Sequence, residues 1–255
     1  EVRDAHPDGM VASGVLQETD LIYKVFIFFG KIMYSNAKKI IASNEGIAKR
    51  LTAYTKANIE VIFNGFPDKM KEIQNNKYEK FTLCFHGILA LFQDIQSLVK
   101  IIKLLQDTDI NIVVIGYGPK EELLKGIPQK NFNYLGKLDP NRTLEIINKC
   151  HLGISIRTDD PISRDCFPVK IWEYIGAKIP SIVVPKSEAG YFLENNKLGF
   201  QFSSGKEKDV VNKILELSKD YNLYKTYSNN IDHHYPLYLR SVTGNQVALS
   251  MLKIV

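Results

Sequence analysis

Cysteine is scarce in this sequence: Cys84, Cys150 and Cys166 are the only three in 255 residues. The number is odd, the positions are well separated and no CxxC pair occurs. A disulfide framework and a zinc site of that kind are therefore not expected, and the chain reads as one kept reduced. Long apolar runs are also missing. The most apolar stretch, LIYKVFIFFGKIMY from Leu21 to Tyr34, carries two lysines and a glycine. It falls short of the roughly 20 apolar residues that a bilayer-spanning helix needs. No low-complexity tract occurs, and no internal repeat beyond an alternation of strand and helix patterns. Neither sign of charge dominates. The net charge of +5 suits anionic ligands or a membrane surface and is too small to argue for nucleic acid. His233 and His234 adjoin each other without metal-ligand spacing and read as surface residues. Asp159 and Asp160 read as a solvated turn. The sequence opens on Glu1 with no signal peptide, so a start part-way through a longer protein is expected.

What is present is a globular composition, 45% hydrophobic and 24% charged, long enough for one large or two smaller domains. From Phe81 onward six short β-rich runs occur: TLCFHG, INIVVIG, NFNYLGK, LGISIR, PSIVVP and LGFQF. They are mostly apolar on both faces, as strands covered on both sides by helices are. Helical patterns lie between most of them. QDIQSLVKIIKLLQ has apolar residues at helical spacing, DPNRTLEIINKC opens with Asp139 as N-cap and Pro140 at the first helical position, and GKEKDVVNKILELSK follows the last strand. This alternation predicts an α/β fold with a Rossmann-like, doubly wound parallel sheet, whose ligands bind outside the carboxyl ends of its strands. The first part differs. A strand end at EVRD leads to a helix over 20–36, and KKIIAS and IEVIFN read as strands around the helix EGIAKRLTA. The turn signal NGFPD and the polar run KMKEIQNNKYEK then mark a linker. The expected units are a partial amino-terminal α/β domain over 1–66, a linker over 67–80, a ligand-binding domain over 81–231 and a terminal helix within 232–255 that returns to the amino-terminal part.

One segment concentrates chemistry. RDCFPVKIWEY, from Arg164 to Tyr174, holds Asp165 and Glu173 eight positions apart with Lys170 between them. A helix starting at Pro168 puts Lys170 and Glu173 on one face, with its free N–H groups aimed at the carboxyl edge of the sheet. Such a place suits a phosphorylated, hydroxyl-rich ligand such as a nucleotide-sugar. On spacing alone, a capping carboxylate with a surface ion pair explains the same residues. Trp172 reads as core. His86 beside Gly87 reads equally well as ligand-facing or as a hydrogen-bonded strand end, and His6, before Pro7 near the expected acceptor side, reads chiefly as a residue without a functional role and only secondarily as part of that site. Phe26, Ile27, Phe28 and Phe29 with Lys24, Lys31, Lys38 and Lys39 make the helix around 21–39 either a surface for anionic lipid or a helix packed within its own domain.

FPVKIWEYIGAKIPSIV resembles the FPSK-x-x-EY-x-A-x-G-x-P-x-I segment of retaining glycosyltransferases of family 4, which adopt the GT-B fold. The family pair E-x7-E is matched by Asp165 and Glu173, and the glycine of its AxGxP is replaced, since Ala177 is followed by Lys178, Ile179 and Pro180. FHGILALFQDIQSLVKIIKLL, IGYGPKEELL and NYLGKLD resemble further family segments. EVRDAHPDGMVASG and IEVIFNGFPD resemble amino-terminal ones of a subgroup acting on membrane-linked sugars. The resemblance implies a donor domain plus part of an acceptor-side domain. It makes Asp165, Lys170 and Glu173 the catalytic set, with Glu173 on the donor ribose and Asp165 on the sugar. It places Gly87 and Gly116 at close backbone approaches and Phe167, Pro168 and Val169 in the donor segment. Gly136, Lys137 and Leu138 cup the nucleobase through backbone groups, and Arg3 and Asp4 edge the acceptor side. Many members carry a cation after Gly87 for the phosphates. Here Ile88, Leu89, Ala90 and Leu91 follow, which leaves Lys170 with Arg157 or Arg164.

The resemblance also implies no metal and no cofactor. It implies a nucleotide-sugar donor, UDP-linked by family habit, and a glycan or lipid-linked acceptor in surface polysaccharide or glycolipid synthesis. The reaction would retain configuration by front-side attack, in a cytoplasmic setting that includes the inner membrane face. Three partner or activity questions stay open: membrane-surface contact, a separate acceptor-domain chain with this one as a non-catalytic or split subunit, and sugar-nucleotide epimerisation in place of transfer.

Overall fold

In the computed structural model, all residues except Ala5, Ser13, Asn75, Gln129, Ile254 and Val255 are described. Near the start, β1 (Lys39–Ala42) and β2 (Asn58–Val61) pair in parallel, with Lys39 opposite Asn58. Val2 adds to the free edge of β1 through a bridge to Ala42, so EVRD contributes one bridging residue and no full strand. The helix Glu45–Leu51 joins β1 to β2 and buries Ile47, Ala48 and Leu51 against Ile40 and Ala42. The Asn44 side chain caps it by accepting from the N–H of Ile47 at 2.8 Å.

All six predicted runs form strands: β3 (Thr82–His86), β4 (Asn111–Ile115), β5 (Phe132–Tyr134), β6 (Leu152–Ile156), β7 (Ser181–Val184) and β8 (Gly199–Gln201). They make one parallel sheet in the order β5-β4-β3-β6-β7-β8. The chain runs outward from β3 to β5 and then returns beside β3 as β6. That reversal opens a crevice at the carboxyl ends of β3 and β6.

Both faces of the sheet are covered, which explains the continuous apolar runs. Leu83 and Phe85 of β3 pack with the helices Ile95–Leu105 and Glu207–Lys219, while Cys84 between them packs with Pro140–Lys149 and Val169–Gly176. Asp139 caps the helix that Pro140 opens by accepting from the N–H of Asn141 at 2.8 Å. Tyr174 fixes the helix Val169–Gly176 onto β6. Its ring covers Gly153, where a Cβ would lie 2.4 Å from ring atoms, and its hydroxyl lies 3.1 Å from the carbonyl oxygens of both Cys84 and Ile154.

The amino-terminal part is held to this sheet by aromatic packing. Trp172, fully buried, stacks on Phe167 at 4.4 Å and meets Phe63, Phe192 and Tyr238 at 5.2, 5.6 and 4.9 Å. Phe63 follows β2, and Tyr238 precedes the last helix, Arg240–Leu252. That helix returns to the amino-terminal part, where Ser250 Oγ donates to Glu60 at 2.6 Å. The crossover is stitched to the chain at Phe66, whose N–H donates to Tyr238 O (2.9 Å) and whose carbonyl accepts from Arg240 N (3.0 Å).

Candidate functional site

The crevice at the carboxyl edge is walled by glycine approaches. Gly116, after β4, has φ 155°, and a Cβ there would lie 2.0 Å from the carbonyl oxygen of Gly87. Its N–H donates to Gly136 O at 2.9 Å, so the loops after β3, β4 and β5 are tied to one another. Gly87 itself has φ 132°, and a Cβ there would approach Lys170 Nζ to 3.2 Å.

Lys170 sits at the centre of this wall. It is 8% exposed, with Nζ 3.1 Å from Gln93 Oε1 and 4.1 Å from the centroid of Phe85. Burial, reinforced by the charge of Arg157, lowers its pKa from 10.5 to about 7. Glu173, one turn on, is partly buried, and desolvation raises its pKa against the opposing charges of Arg240, Lys170 and Lys69. His86 Nε2 lies 3.3 Å from Glu173 Oε2 without hydrogen-bond alignment. Desolvation and Lys170 hold that imidazole down to about 3, so it is neutral and the contact is not an ion pair. A surface ion pair between Lys170 and Glu173 is thereby excluded, because the lysine is buried under the sheet edge. The helix begins one residue later than its proline suggests: Pro168 is the N-cap, with φ −62° and ψ 134°, and no side chain caps the end.

Asp165 is placed differently. Its Oδ2 lies 2.7 Å from Arg50 Nη2, and Arg50 also holds Asp8 at 3.1 Å. The two acids eight apart are therefore not both turned to Lys170; Asp165 is shared with the amino-terminal part. A second link runs alongside. The carboxylate of Glu188 accepts from the N–H groups of Glu45 and Gly46 at 2.7 and 2.6 Å, at the start of the helix Glu45–Leu51. Gly46 has to be glycine, since a Cβ would lie 2.2 Å from Asp165 O.

Between the two parts lies a cleft of about 860 Å³. Arg3, Asp4 and His6 line one side, and Arg157, Phe167, Pro168 and Val169 line the other. Arg157 donates from Nε to Ser163 at 3.3 Å and lies over Phe92. Phe167 is only 7% exposed and belongs mainly to the aromatic core. Arg164 is paired with Asp159 at 2.7 Å. Its neighbour Asp160 is no free solvated turn either, since it caps the short helix Pro161–Asp165 through Ser163 N at 2.9 Å. Beyond β5, Lys137 is exposed with Nζ over the Tyr117 ring at 4.7 Å, and Leu138 packs against the core. Two cleft or wall residues escaped the sequence: Gln93, which had a signal in the FQD stretch, and Arg240, which had none.

The model of the family described as glycosyl transferases group 1 matches residues 67–234. The chain belongs to this family. No curated protein matches it in sequence. Among solved structures, this glycosyl transferase group 1 chain is similar to one described as the GtfA/B complex, at 16% identity and TM-score 0.71, over 90% of this chain and 48% of that one. It is similar to the pneumococcal O-GlcNAc transferase GtfA in complex with UDP and GlcNAc (15%, 0.70, 94% and 50%). It is also similar to HepE of Anabaena in complex with UDP-glucose (15%, 0.71, 90% and 68%). At these identities the likeness is one of fold, and it is the GT-B fold. The chain spans about half the length of the first two structures.

Proposed function

We propose that this chain carries the donor-binding half, with part of the acceptor-side half, of a retaining GT-B glycosyltransferase of family 4. The observation that carries the reading is the buried Lys170 ammonium set against Gly87 at the strand-order reversal, with Glu173 one turn away. The diphosphate of a nucleotide-sugar would meet Lys170 and the uncapped helix start at Val169, and Glu173 would accept from the ribose hydroxyls. The donor is a UDP-hexose, in keeping with the UDP and UDP-glucose bound to the structural neighbours. Asp165 would accept from the sugar through Oδ1, which has no hydrogen bond or ion pair among the described residues. Arg3 and Asp4 would face the acceptor, and the backbone of 136–138 the nucleobase.

In the reaction the acceptor oxygen bonds to the anomeric carbon on the face the diphosphate leaves. The bond from that carbon to the phosphate oxygen breaks, and the acceptor proton passes to the departing phosphate. Negative charge growing on the leaving group is stabilised by Lys170 and the helix start. Calorimetric titration with a panel of nucleotide-sugars tests the reading. The parent should bind a UDP-sugar, and Glu173→Ala should lose about 1.5–3 kcal/mol of that affinity. Absence of any nucleotide binding, or equal binding by the variant, would overturn it.

The acceptor is a glycan or lipid-linked sugar of surface polysaccharide or glycolipid synthesis, and the helix Leu21–Ser35 supports contact with a membrane surface. Its partly buried positions, Tyr23, Ile27, Gly30 and Tyr34, follow helical spacing and face the protein. Leu21, Ile22, Val25, Phe26, Phe28, Phe29, Ile32 and Met33 all face outward and are at least 43% exposed. Lys24 and Lys31 border that arc, and the helix carries no acid. Among the described residues no helix is long and apolar enough to cross a membrane, so the contact would lie in the interface plane. The protein should float with anionic vesicles and stay behind with zwitterionic ones, and Phe28→Glu/Phe29→Glu should abolish flotation. A second reading, a subunit working with a separate acceptor-domain chain, rests on the likeness to the GtfA/B complex. Transfer by this chain alone would exclude it.

A further inference from the structure

The loop after β3 offers no cation. Ile88, Leu89, Ala90 and Leu91 follow Gly87; Lys120 Nζ is held by the carbonyl of Gln93 at 2.9 Å, which leaves Lys170 as the ammonium set against Gly87. A nucleoside diphosphate brings more negative charge than one lysine neutralises. Three arginines line the cleft. Arg3 is bound to Glu1 at 2.8 Å, and Arg157 is bound to Ser163 and lies over Phe92. The guanidinium of Arg240 has no hydrogen bond, ion pair or ring partner among the described residues.

Its backbone, in contrast, is fixed. Leu239 bridges in parallel to Phe66, Arg240 N donates to Phe66 O, and the next residue, Ser241, binds Asp68 through both N (2.9 Å) and Oγ (2.5 Å). Gly65 permits this approach. It has φ 64°, and a Cβ there would lie 2.3 Å from Tyr238 O. The return of the carboxy-terminal helix thus sets an unpaired guanidinium at the cleft from the far side. It shares that cleft with Pro168 and Val169 at the start of the helix that carries Glu173, and it is the foremost charge opposing the protonation of Glu173.

We propose that Arg240 is the second diphosphate-binding cation of this chain, taking over from the carboxy-terminal helix the role that the apolar loop after β3 leaves empty. The proposal rests on the donor-site reading above. A guanidinium suits it, since its planar fork can hold two phosphate oxygens at once.

The test is titration of uridine, UMP and UDP against the parent, Arg240→Ala and Arg240→Lys. Arg240→Ala should weaken UDP about tenfold or more, the loss of one charge-assisted contact, and leave uridine unchanged within about twofold. Arg240→Lys should recover part of the UDP affinity. Melting temperatures near that of the parent are expected, since the side chain holds nothing in the free protein. Equal loss for uridine and UDP, or no loss for UDP, would overturn the role of Arg240 and leave the donor site standing. A parent that binds none of the three would bring down the donor site itself, and this proposal with it.

Discussion

Trp172→Ala should destabilise the folded chain by about 3–5 kcal/mol in urea denaturation followed by circular dichroism, the range for emptying a large buried aromatic site. Trp172 is fully buried and is the one tryptophan of the sequence. It touches Phe167 and Phe192 from the large sheet domain, Phe63 from the amino-terminal part and Tyr238 from the carboxy-terminal crossover. These rings come from three separate parts of the chain, so they cannot collapse together into the gap without moving the elements that carry them. With total stabilities of about 5–15 kcal/mol being usual for a domain, the variant should sit near the edge of folding. Trp172→Phe keeps a ring in the same place and should lose clearly less. Where both variants fold, nucleotide affinity should fall with stability in Trp172→Ala, because Phe167 stacks on the indole and precedes the Pro168 cap. A Trp172→Ala protein within about 1 kcal/mol of the parent would mean that the cluster closes up freely and does not join the parts.

The same residues show what can be read from a sequence. The six strands were legible because most are apolar on both faces, a local pattern that the helices on either side make necessary. The cap at Asp139 and Pro140 was legible because capping is decided within four residues. The helix at 21–35 was legible by its period, although the direction of its apolar face was not. That face turns outward, and only the packing of Tyr23 and Tyr34 against the protein reveals it. Asp165 was found by its distance from Glu173, yet its partner Arg50 lies far back in the chain, and no spacing rule connects them. Arg240 is a harder case. It sits in an ordinary helix start and reaches the cleft only because the crossover is pinned at Phe66 and Asp68. Burial had the largest hidden effect. The same spacing of Lys170 and Glu173 would describe a weak surface pair, and what sets this pair apart is the sheet edge that covers the lysine.

That burial predicts opposite effects on stability and on binding when the lysine is removed. Lys170→Met should raise the melting temperature at neutral pH while weakening UDP binding by about one to two orders of magnitude, the loss of a charge-assisted contact. The ammonium is held in a covered position, and desolvation moves its pKa from 10.5 down to about 7. A folded-state pKa below the unfolded one means that, between these values, the unfolded chain binds the proton and the folded chain does not. The contribution of Lys170 to stability therefore rises as pH climbs from about 7 toward 10.5 and is least favourable below 7, where the folded state must hold the buried charge. Lys77, lowered to about 8, adds a rise in an overlapping window, so the parent-minus-variant difference isolates Lys170. His86, lowered to about 3, acts only below 6.5 and stays out of that window. Met fills the stem's volume without the charge, so the advantage of the variant should be largest near pH 6 and should shrink toward pH 9. Binding runs the other way. A diphosphate needs the ammonium, so UDP should bring a proton with it above pH 7. Titrations in buffers of different ionisation enthalpy should show that uptake in the parent and lose it in Lys170→Met. A variant that is less stable than the parent at pH 6, or that takes up the same proton on binding UDP, would show that the buried ammonium is held for the fold and not for the ligand.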